Sequence, residues 1–461
     1  MRLPLGPGPG IDPFGLAGPD GIAFLSEGRV LVGVGCAATI PLPHGLDAPL
    51  ELEDAARGLA SIPCEDRVGP GPGVGRSGVM AFGALPFDRS AAATLTVPEI
   101  IFGIEPSGQE WVTVVTTDRS GLPTGTDEIR TRLDARLGSR LARDVNGPAV
   151  ADSLASPPRV AALSTEDSFE AMVDEALAAI HRGQLSKVVL SRQVEVTTGE
   201  RIDIAELLRR WHRLEPGCAV FSLPAPDGQF VGASPELLIE RTGLRIRSRP
   251  LAGTTGPSPT ESGATGVGIL PLELLASAKD ANEHRLVVEA IAGLLGPLCS
   301  ELDVPGGPDL VQLHSLVHLG TALDGTLSDA AGRRALSALE LVGALHPTPA
   351  VGGVPTEAAR TLIARLEPGS RGRYAGPVGY MDGAGDGKWM LGIRAVSIRD
   401  RTARLAAGVG IVDGSDPEVE LAETNLKFNA VLDALAPGLQ HLPVAPHRRG
   451  QAPHRRGQTV S

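Results

Sequence analysis

Aromatic side chains are scarce in this 461-residue chain, which has three Trp, two Tyr and nine Phe. Ala, Leu and Val must therefore build most of its core. Cysteine is scarcer still for a chain of this length: Cys36, Cys64, Cys218 and Cys299 lie far apart with no C-x-x-C spacing, which argues against a disulfide framework and a thiolate metal site. Positive charge is in deficit, with 42 Lys and Arg against 54 Asp and Glu and a net charge of −12, which argues against a general nucleic-acid-binding surface. Long apolar runs are missing too. The uncharged stretch Val30–Leu46 is interrupted by Pro41, Pro43 and several glycines, so it does not read as a membrane helix. Met1–Gly10 is broken by Pro4, Pro7 and Pro9 and does not resemble a secretory signal, so a cytoplasmic location is expected. No Walker-type G-x-x-x-x-G-K-[ST] occurs, and Gly73-Val-Gly75-Arg-Ser-Gly78 spells G-x-G-x-x-G without a strand before it or a helix after it.

What is present is the make-up of a soluble globular protein, 42% hydrophobic and 21% charged. Its 58 Gly and 39 Pro follow no Gly-X-Y period and mark turns. Residues 1–165 are expected to form a β-rich part of one folded unit, with short strands such as Arg29–Gly33, Val79–Phe82 and Trp111–Thr116 joined by long connections. From Ser164 the spacing of Phe169, Met172, Val173, Ala176, Leu177 and Ile180 predicts a helix capped by Ser164 or Thr165 and ended by Gly183. Lys187–Val196 reads as a strand, Phe230–Glu240 as a second one interrupted at Pro235, and 253–268 as a mobile loop. Helices are expected over Leu272–Leu295 and Pro417–Leu435, the latter with Asp416 as cap and Pro417 at its first position; strand-like runs lie between them at Lys388–Ile398 and Ala403–Val409. Helices and strands mix without βαβ alternation, which predicts an α+β fold. The catalytic region is taken as residues 166–438. Residues 439–461 contain a repeated Pro-His-Arg-Arg-Gly-Gln with nothing to bury and are expected to be a disordered basic tail. Deleting 443–461 is therefore expected to leave melting temperature and turnover unchanged; a large loss of either would show that the tail docks.

Two acidic ladders stand out. Asp280 and Glu283 are three apart in one predicted helix, and Glu420 and Glu423 are three apart in another, with Lys427 four further on, so each helix can present two carboxylates on one face. One such pair reads first as a solvated acidic face. Two, each beside apolar helix positions, favour a shared divalent cation; all-oxygen ligation points to Mg²⁺ alongside an anionic substrate group. Lys187, Glu236, His318 and Arg394 are candidate binding or proton-transfer groups. Each also has a plain structural reading: a strand end, a turn carboxylate, a core histidine, an internal ion pair.

The segments that hold these residues resemble the chorismate-utilising enzyme family over roughly 166–437. The resemblance rests on Ser186-Lys-Val-Val-Leu-Ser-Arg192, Gly232-Ala-Ser-Pro-Glu-Leu-Leu238, Pro250-Leu-Ala-Gly-Thr254, Ser277-Ala-Lys-Asp-Ala-Asn-Glu-His284, His318-Leu-Gly-Thr321, Leu345-His-Pro-Thr-Pro-Ala-Val351, Arg373-Tyr-Ala-Gly-Pro-Val-Gly379 and Ser415-Asp-Pro-Glu-Val-Glu-Leu-Ala-Glu-Thr424, with an echo at Ala81-Phe-Gly-Ala-Leu-Pro-Phe-Asp88. It implies a large antiparallel β-sandwich with helices outside. Within the family the chain looks most like isochorismate synthases of the siderophore type. Lys187 stands where ammonia-using members have Gln, Ala252 stands where aminodeoxychorismate synthases have a nucleophilic Lys, and Ala350-Val351 stands where salicylate synthases tend to have Thr-Ala. The chain departs from the family after Thr254, where Thr255-Gly256-Pro257 and a long neutral segment replace a basic residue and an acidic loop.

The resemblance implies chorismate as substrate and Mg²⁺ as cofactor. Water adds beside the carboxyl-bearing carbon while the hydroxyl at the far end of the diene leaves, with Lys187 as base and Glu236 as acid. Glu283 and Glu423 resemble the principal Mg²⁺ ligands, with Asp280 and Glu420 acting through water. Arg394 and Lys427 would hold substrate carboxylates, helped by Tyr374, His318 and Ala350, and Gly253, Thr254 and Gly408 would supply backbone or hydroxyl groups. A monomeric enzyme feeding siderophore, menaquinone or related biosynthesis is expected, with no nucleic-acid or membrane partner. The same-fold rival is a salicylate synthase, which goes on to eliminate pyruvate. The rival from another class is a non-catalytic carboxylate-binding relative, against which the presence of both Lys187 and Glu236 argues.

Overall fold

The computed structural model of the protein describes residues 2–4, 12–63, 78–116, 128, 131, 158–256, 271–328, 335–437, 439 and 442. Its frame is a 12-stranded sheet and a 9-stranded sheet, with a small three-stranded sheet beside them, and every strand pairing described is antiparallel. Phe24 and Phe221 from the larger sheet meet Phe82 and Tyr380 from the other in one buried cluster, where Phe24 and Tyr380 pack edge-on at 5.4 Å. These few aromatics thus fill the space between the sheets, where large side chains bury most area per residue. Outside, aliphatic faces of Pro49–Ala60 and Ala338–Leu345 cover the 9-stranded sheet, while Ile204–Leu214 and Pro417–Leu435 cover the 12-stranded one. This is the α+β sandwich with helices outside that the resemblance implies.

Strands from the N-terminal half are interleaved with those of the C-terminal half. Ile22–Ser26 pairs with Ala219–Ala225 in one sheet and Met80–Ala84 with Pro377–Asp382 in the other. Expected as strands and connections only, that half also contains the helix Pro49–Ala60, whose Leu52, Ala55, Ala56 and Leu59 repeat at helical spacing and are buried. Among the described residues no helix is long and apolar enough to cross a membrane. Cys36, Cys218 and Cys299 are free thiols. Cys64, Gly73–Gly75 and most of the basic tail lie outside the described residues.

Several expected elements divide, each for an identifiable reason. The run Leu272–Leu295 is two helices, Pro271–Ala276 and Ala278–Leu295, because Ser277 accepts the Asp280 N–H at 3.2 Å and caps the second. Phe230–Glu240 is not one interrupted strand: Gly228–Ser234 lies in the larger sheet and Leu237–Thr242 in the smaller. Lys388–Ile398 divides likewise into Gly387–Leu391 and Ala395–Arg399, so Arg394, expected inside a strand, stands in the break with φ +51°. Gly253–Thr255, expected in a loop, ends the strand Leu251–Thr255, and 257–268 lies outside the described residues. The last long helix, Pro417–Leu435, starts as predicted: Asp416 accepts the N–H groups of Glu418 and Val419.

Buried Arg192 fastens that helix to the strand Lys187–Thr197. Its Nε donates to Thr424 Oγ1 at 2.7 Å, Nη2 donates to Asn425 Oδ1, and the guanidinium stacks near Phe169 and Phe428. The strand that carries Lys187 and the helix that carries Glu420, Glu423 and Lys427 are thereby held in one register.

Candidate active site

Two neighbouring crossings between the sheets create the site. The chain leaves the larger sheet at Ser234 and enters the smaller at Leu237; it returns between Leu391 and Ala395. The crossings are stitched together by Leu391 N–H to Glu236 O at 3.0 Å and Ala233 N–H to Arg394 O at 3.1 Å. Glu236 and Arg394, distant in sequence, are thus adjacent in backbone terms. The three-stranded sheet brings a third group, since Thr254 pairs with His318 across Leu251–Thr255 and Val317–Gly320. Gly253 has φ +77°, and a Cβ there would lie 3.2 Å from that of Asp280, so glycine suits this corner on both counts.

The acidic ladders meet from two helix starts. Asp280 and Glu283 lie in the first turns of Ala278–Leu295, and Glu420 and Glu423 in the first turns of Pro417–Leu435, where unpaired backbone N–H groups favour negative charge. Three lysines answer them: Lys187 Nζ is 2.9 Å from Glu283 Oε1, Lys279 Nζ 2.5 Å from Glu420 Oε1, and Lys427 Nζ 2.7 Å from Glu423 Oε1. Asp280 has no ion-pair partner among the described residues. One cavity is lined by Glu236, Gly253, Thr254, Glu283, His318, Ala350, Tyr374, Arg394, Gly408, Glu423 and Lys427. Asp280, Glu420 and Lys187 do not line it. Lys187 is fully buried behind Glu283, and its Nζ makes no properly directed hydrogen bond.

The description of the chorismate binding enzyme family matches residues 28–436. The chain belongs to that family. Among its relatives, isochorismate synthase DhbC of Bacillus subtilis is 41% identical over 285 residues, which are 60% of this chain and 69% of the relative. Isochorismate synthase EntC of Escherichia coli is 40% identical over 273 residues, 59% of this chain and 68% of the relative. The solved structure of MenF, the menaquinone-specific isochorismate synthase of Escherichia coli, superposes with a TM-score of 0.72 over 94% of each chain; at 24% identity that likeness speaks for the fold alone.

In this chorismate-binding fold, burial sets the charge of each group. It raises the Glu236 carboxyl to about 7, against the opposing pull of the Leu251 N–H and of Lys187, Arg394 and Lys427. Burial would also raise Glu423, but Lys427 and Lys279 outweigh it and hold that carboxyl below its ordinary range. Asp280 and Glu420 are pushed up, by burial first and by neighbouring carboxylates besides. Tyr374 is raised to about 12 by burial and stays a neutral phenol. Some of the expected backbone and hydroxyl groups are already engaged: the Gly408 carbonyl accepts from Lys427 at 2.8 Å, and the Thr254 hydroxyl contacts Glu423 and His318.

Divalent-cation ligation suits what is present. Four carboxylates, three of them buried and Glu423 half-buried, outnumber three lysines, and Glu420 Oε2 has no hydrogen-bond partner among the described residues. No three His, Cys, Asp or Glu side chains among the described residues are arranged to hold a metal unaided. Mg²⁺ keeps waters and takes one or two protein carboxylates, a number that Glu283 and Glu423 in the cavity wall could supply.

Sequence reasoning missed three supports. Lys279, inside Ser277–His284, bridges the two acidic helices through Glu420. The buried Arg371 pairs with Glu367 and donates to the carbonyls of Val189 and Val351, both in the cavity wall, at 2.7 Å each. Gly410 is the third: a Cβ there would sit 2.0 Å from Glu283 Oε1 and 3.0 Å from Lys187 Cε. The available signals were the place of Lys279 inside the Ser277–His284 motif and that of Gly410 directly after the strand expected at Ala403–Val409; Arg371, between Ser370 and Gly372, carried none. Because the clash in Gly410→Ala falls on the mobile end of a side chain, its expected stability cost is small, about 1–2 kcal/mol. Turnover, in contrast, should drop tenfold or more as Glu283 is displaced; equal turnover with an unchanged melting temperature would show that its position is immaterial.

Proposed function

We propose that this enzyme is an isochorismate synthase, converting chorismate to isochorismate. The observation that carries the reading is the meeting, on one cavity, of a buried carboxyl that keeps its proton up to about pH 7 and a half-buried arginine with no carboxylate partner among the described residues. The names of the relatives DhbC and EntC support the same reading.

Arg394 and Lys427 hold the substrate's carboxylates, the guanidinium being suited to a two-pronged contact. Water adds to the ring carbon next to the carboxyl-bearing one, and its proton passes towards Lys187, which is reached from the cavity past Glu283. The diene electrons shift, the distal C–O bond breaks, and Glu236 gives its proton to the departing hydroxyl, which leaves as water. One water enters and one leaves, so the product is an isomer; through solvent Lys187 then gives up the proton it took and Glu236 regains the one it gave. Glu283 and Glu423 would hold Mg²⁺, with Asp280 and Glu420 contacting it through water. When bound, that ion supplies Lewis-acid stabilisation of charge at the ring carboxylate. Tyr374 and Ala350 shape the wall, and the small Ala350-Val351 pair accompanies a reaction that stops at isochorismate. Incubation with chorismate and Mg²⁺, followed by chromatography, tests this: isochorismate is expected, and stoichiometric salicylate and pyruvate would replace the reading with that of a salicylate synthase.

Glu236 also sets a pH dependence. Between 4.5 and about 7 the folded protein keeps a proton that the unfolded chain has released, so this group's contribution to stability declines as pH rises through that window. Glu236→Gln removes the buried charge. At pH 8 it should melt roughly 2–4 °C above the wild type, and the gain should vanish towards pH 4.5. A melting difference that ignores pH would refute the raised carboxyl.

A further inference from the structure

Arg394 is half-buried, yet its guanidinium finds one hydrogen-bond partner among the described residues, and that partner is an imidazole. Arg394 Nη2 lies 3.1 Å from His318 Nε2, and the buried Nε has none. An N–H of arginine can bond only to a nitrogen that offers a lone pair. The other ring nitrogen explains why one is available: His318 Nδ1 lies 3.3 Å from the Gly253 carbonyl oxygen, which accepts only, and 3.1 Å from Thr254 Oγ1. The proton therefore resides on Nδ1, leaving Nε2 bare.

We propose that His318 is a positioning residue for Arg394: anchored through Nδ1–H to Gly253, its Nε2 lone pair holds one Nη2 proton and turns the free Nε–H to the substrate carboxylate. The role rests on the reading of the cavity as a chorismate site, and it differs from direct substrate contact. Arg394 stands at φ +51° in a break between strands, where the bond from Ala233 N–H to its carbonyl fixes the backbone but leaves the side chain to be oriented by its own contact. An acidic partner would compete with the substrate for the guanidinium; a neutral acceptor orients it and leaves its charge free. Burial, with Arg394 and Lys427 nearby, keeps His318 well below its ordinary value, and the Gly253 carbonyl opposes this only in part.

Two near-isosteric variants separate this role from simple core packing. In His318→Asn the amide can still donate to Gly253 but has no acceptor at the Nε2 position; in His318→Gln the amide oxygen reaches that position. His318→Asn should raise KM and the calorimetric Kd for chorismate at least tenfold, with kcat changed less than threefold, because the anchor acts alike in ground and transition states. His318→Gln should recover most of that loss. Wild-type-like binding in His318→Asn, or a Gln variant no better than Asn, overturns the proposal. Nitrogen-15 spectra of labelled protein provide a test independent of turnover: the histidine signal lost in His318→Gln should be an Nδ1–H tautomer from pH 6 to 8, and an imidazolium or Nε2–H form overturns the proposal. If the wild type binds chorismate but makes no isochorismate, the proposed reaction fails, while the binding and spectral results still decide the role of His318.

Discussion

Lys187→Gln and Glu236→Gln are each expected to lower turnover by roughly two orders of magnitude or more, the usual contribution of a placed base or acid. Chorismate should still bind, because neither residue is a carboxylate anchor in the proposed site. Glutamine at 236 fits a pocket already built for an uncharged carboxyl, so loss of activity there cannot be put down to misfolding. At 187 the change removes the partner of Glu283. Binding must therefore be measured alongside turnover in that variant. A base and an acid serving one reaction act together, so the double variant should be less impaired than the product of the two single effects. In the wild type, turnover should decline as pH rises through about 7, where Glu236 gives up its proton. Near-normal turnover in Lys187→Gln would remove that lysine as the base and reopen the choice among members of the family.

Glu283→Gln and Glu423→Gln should weaken Mg²⁺ binding at least tenfold by calorimetry and reduce activity accordingly, with the fold unchanged by circular dichroism. Amides are poorer ligands than carboxylates for a hard cation. The two substitutions act from different helices and different lysine partners, so a shared phenotype would reflect a shared ion. Full activity of either variant in the presence of a chelator would dispose of the metal.

The acidic ladders were legible because helix period is a local property. Asp280 and Glu283 share a face whatever the helix packs against, as do Glu420 and Glu423, and the Asp416-Pro417 start needed no tertiary information. The family motifs likewise mark the segments that converge on the cavity. Hidden from the sequence was which sheet a strand joins. Phe230–Glu240 and Lys388–Ile398 each read as one strand because alternation of apolar residues is the same in either sheet. The crossings at Pro235-Glu236 and Gly392–Arg394 became visible only with their pairings.

The sequence by itself determined the residue types available for chemistry, their placement along helices and strands, and the mixed α+β character of the chain. Tertiary structure decided their charge and their company. Glu236 has an ordinary carboxyl until two sheets enclose it. Lys187 is a strand-end lysine until Gly410 leaves room for it and Glu283 beside the neighbouring strand. His318 and Arg394 are 76 positions apart, and only the fold makes one the acceptor for the other. The physical reason is common to all three: desolvation and short-range electrostatics depend on what closes over a group, and that arises from contacts remote in sequence.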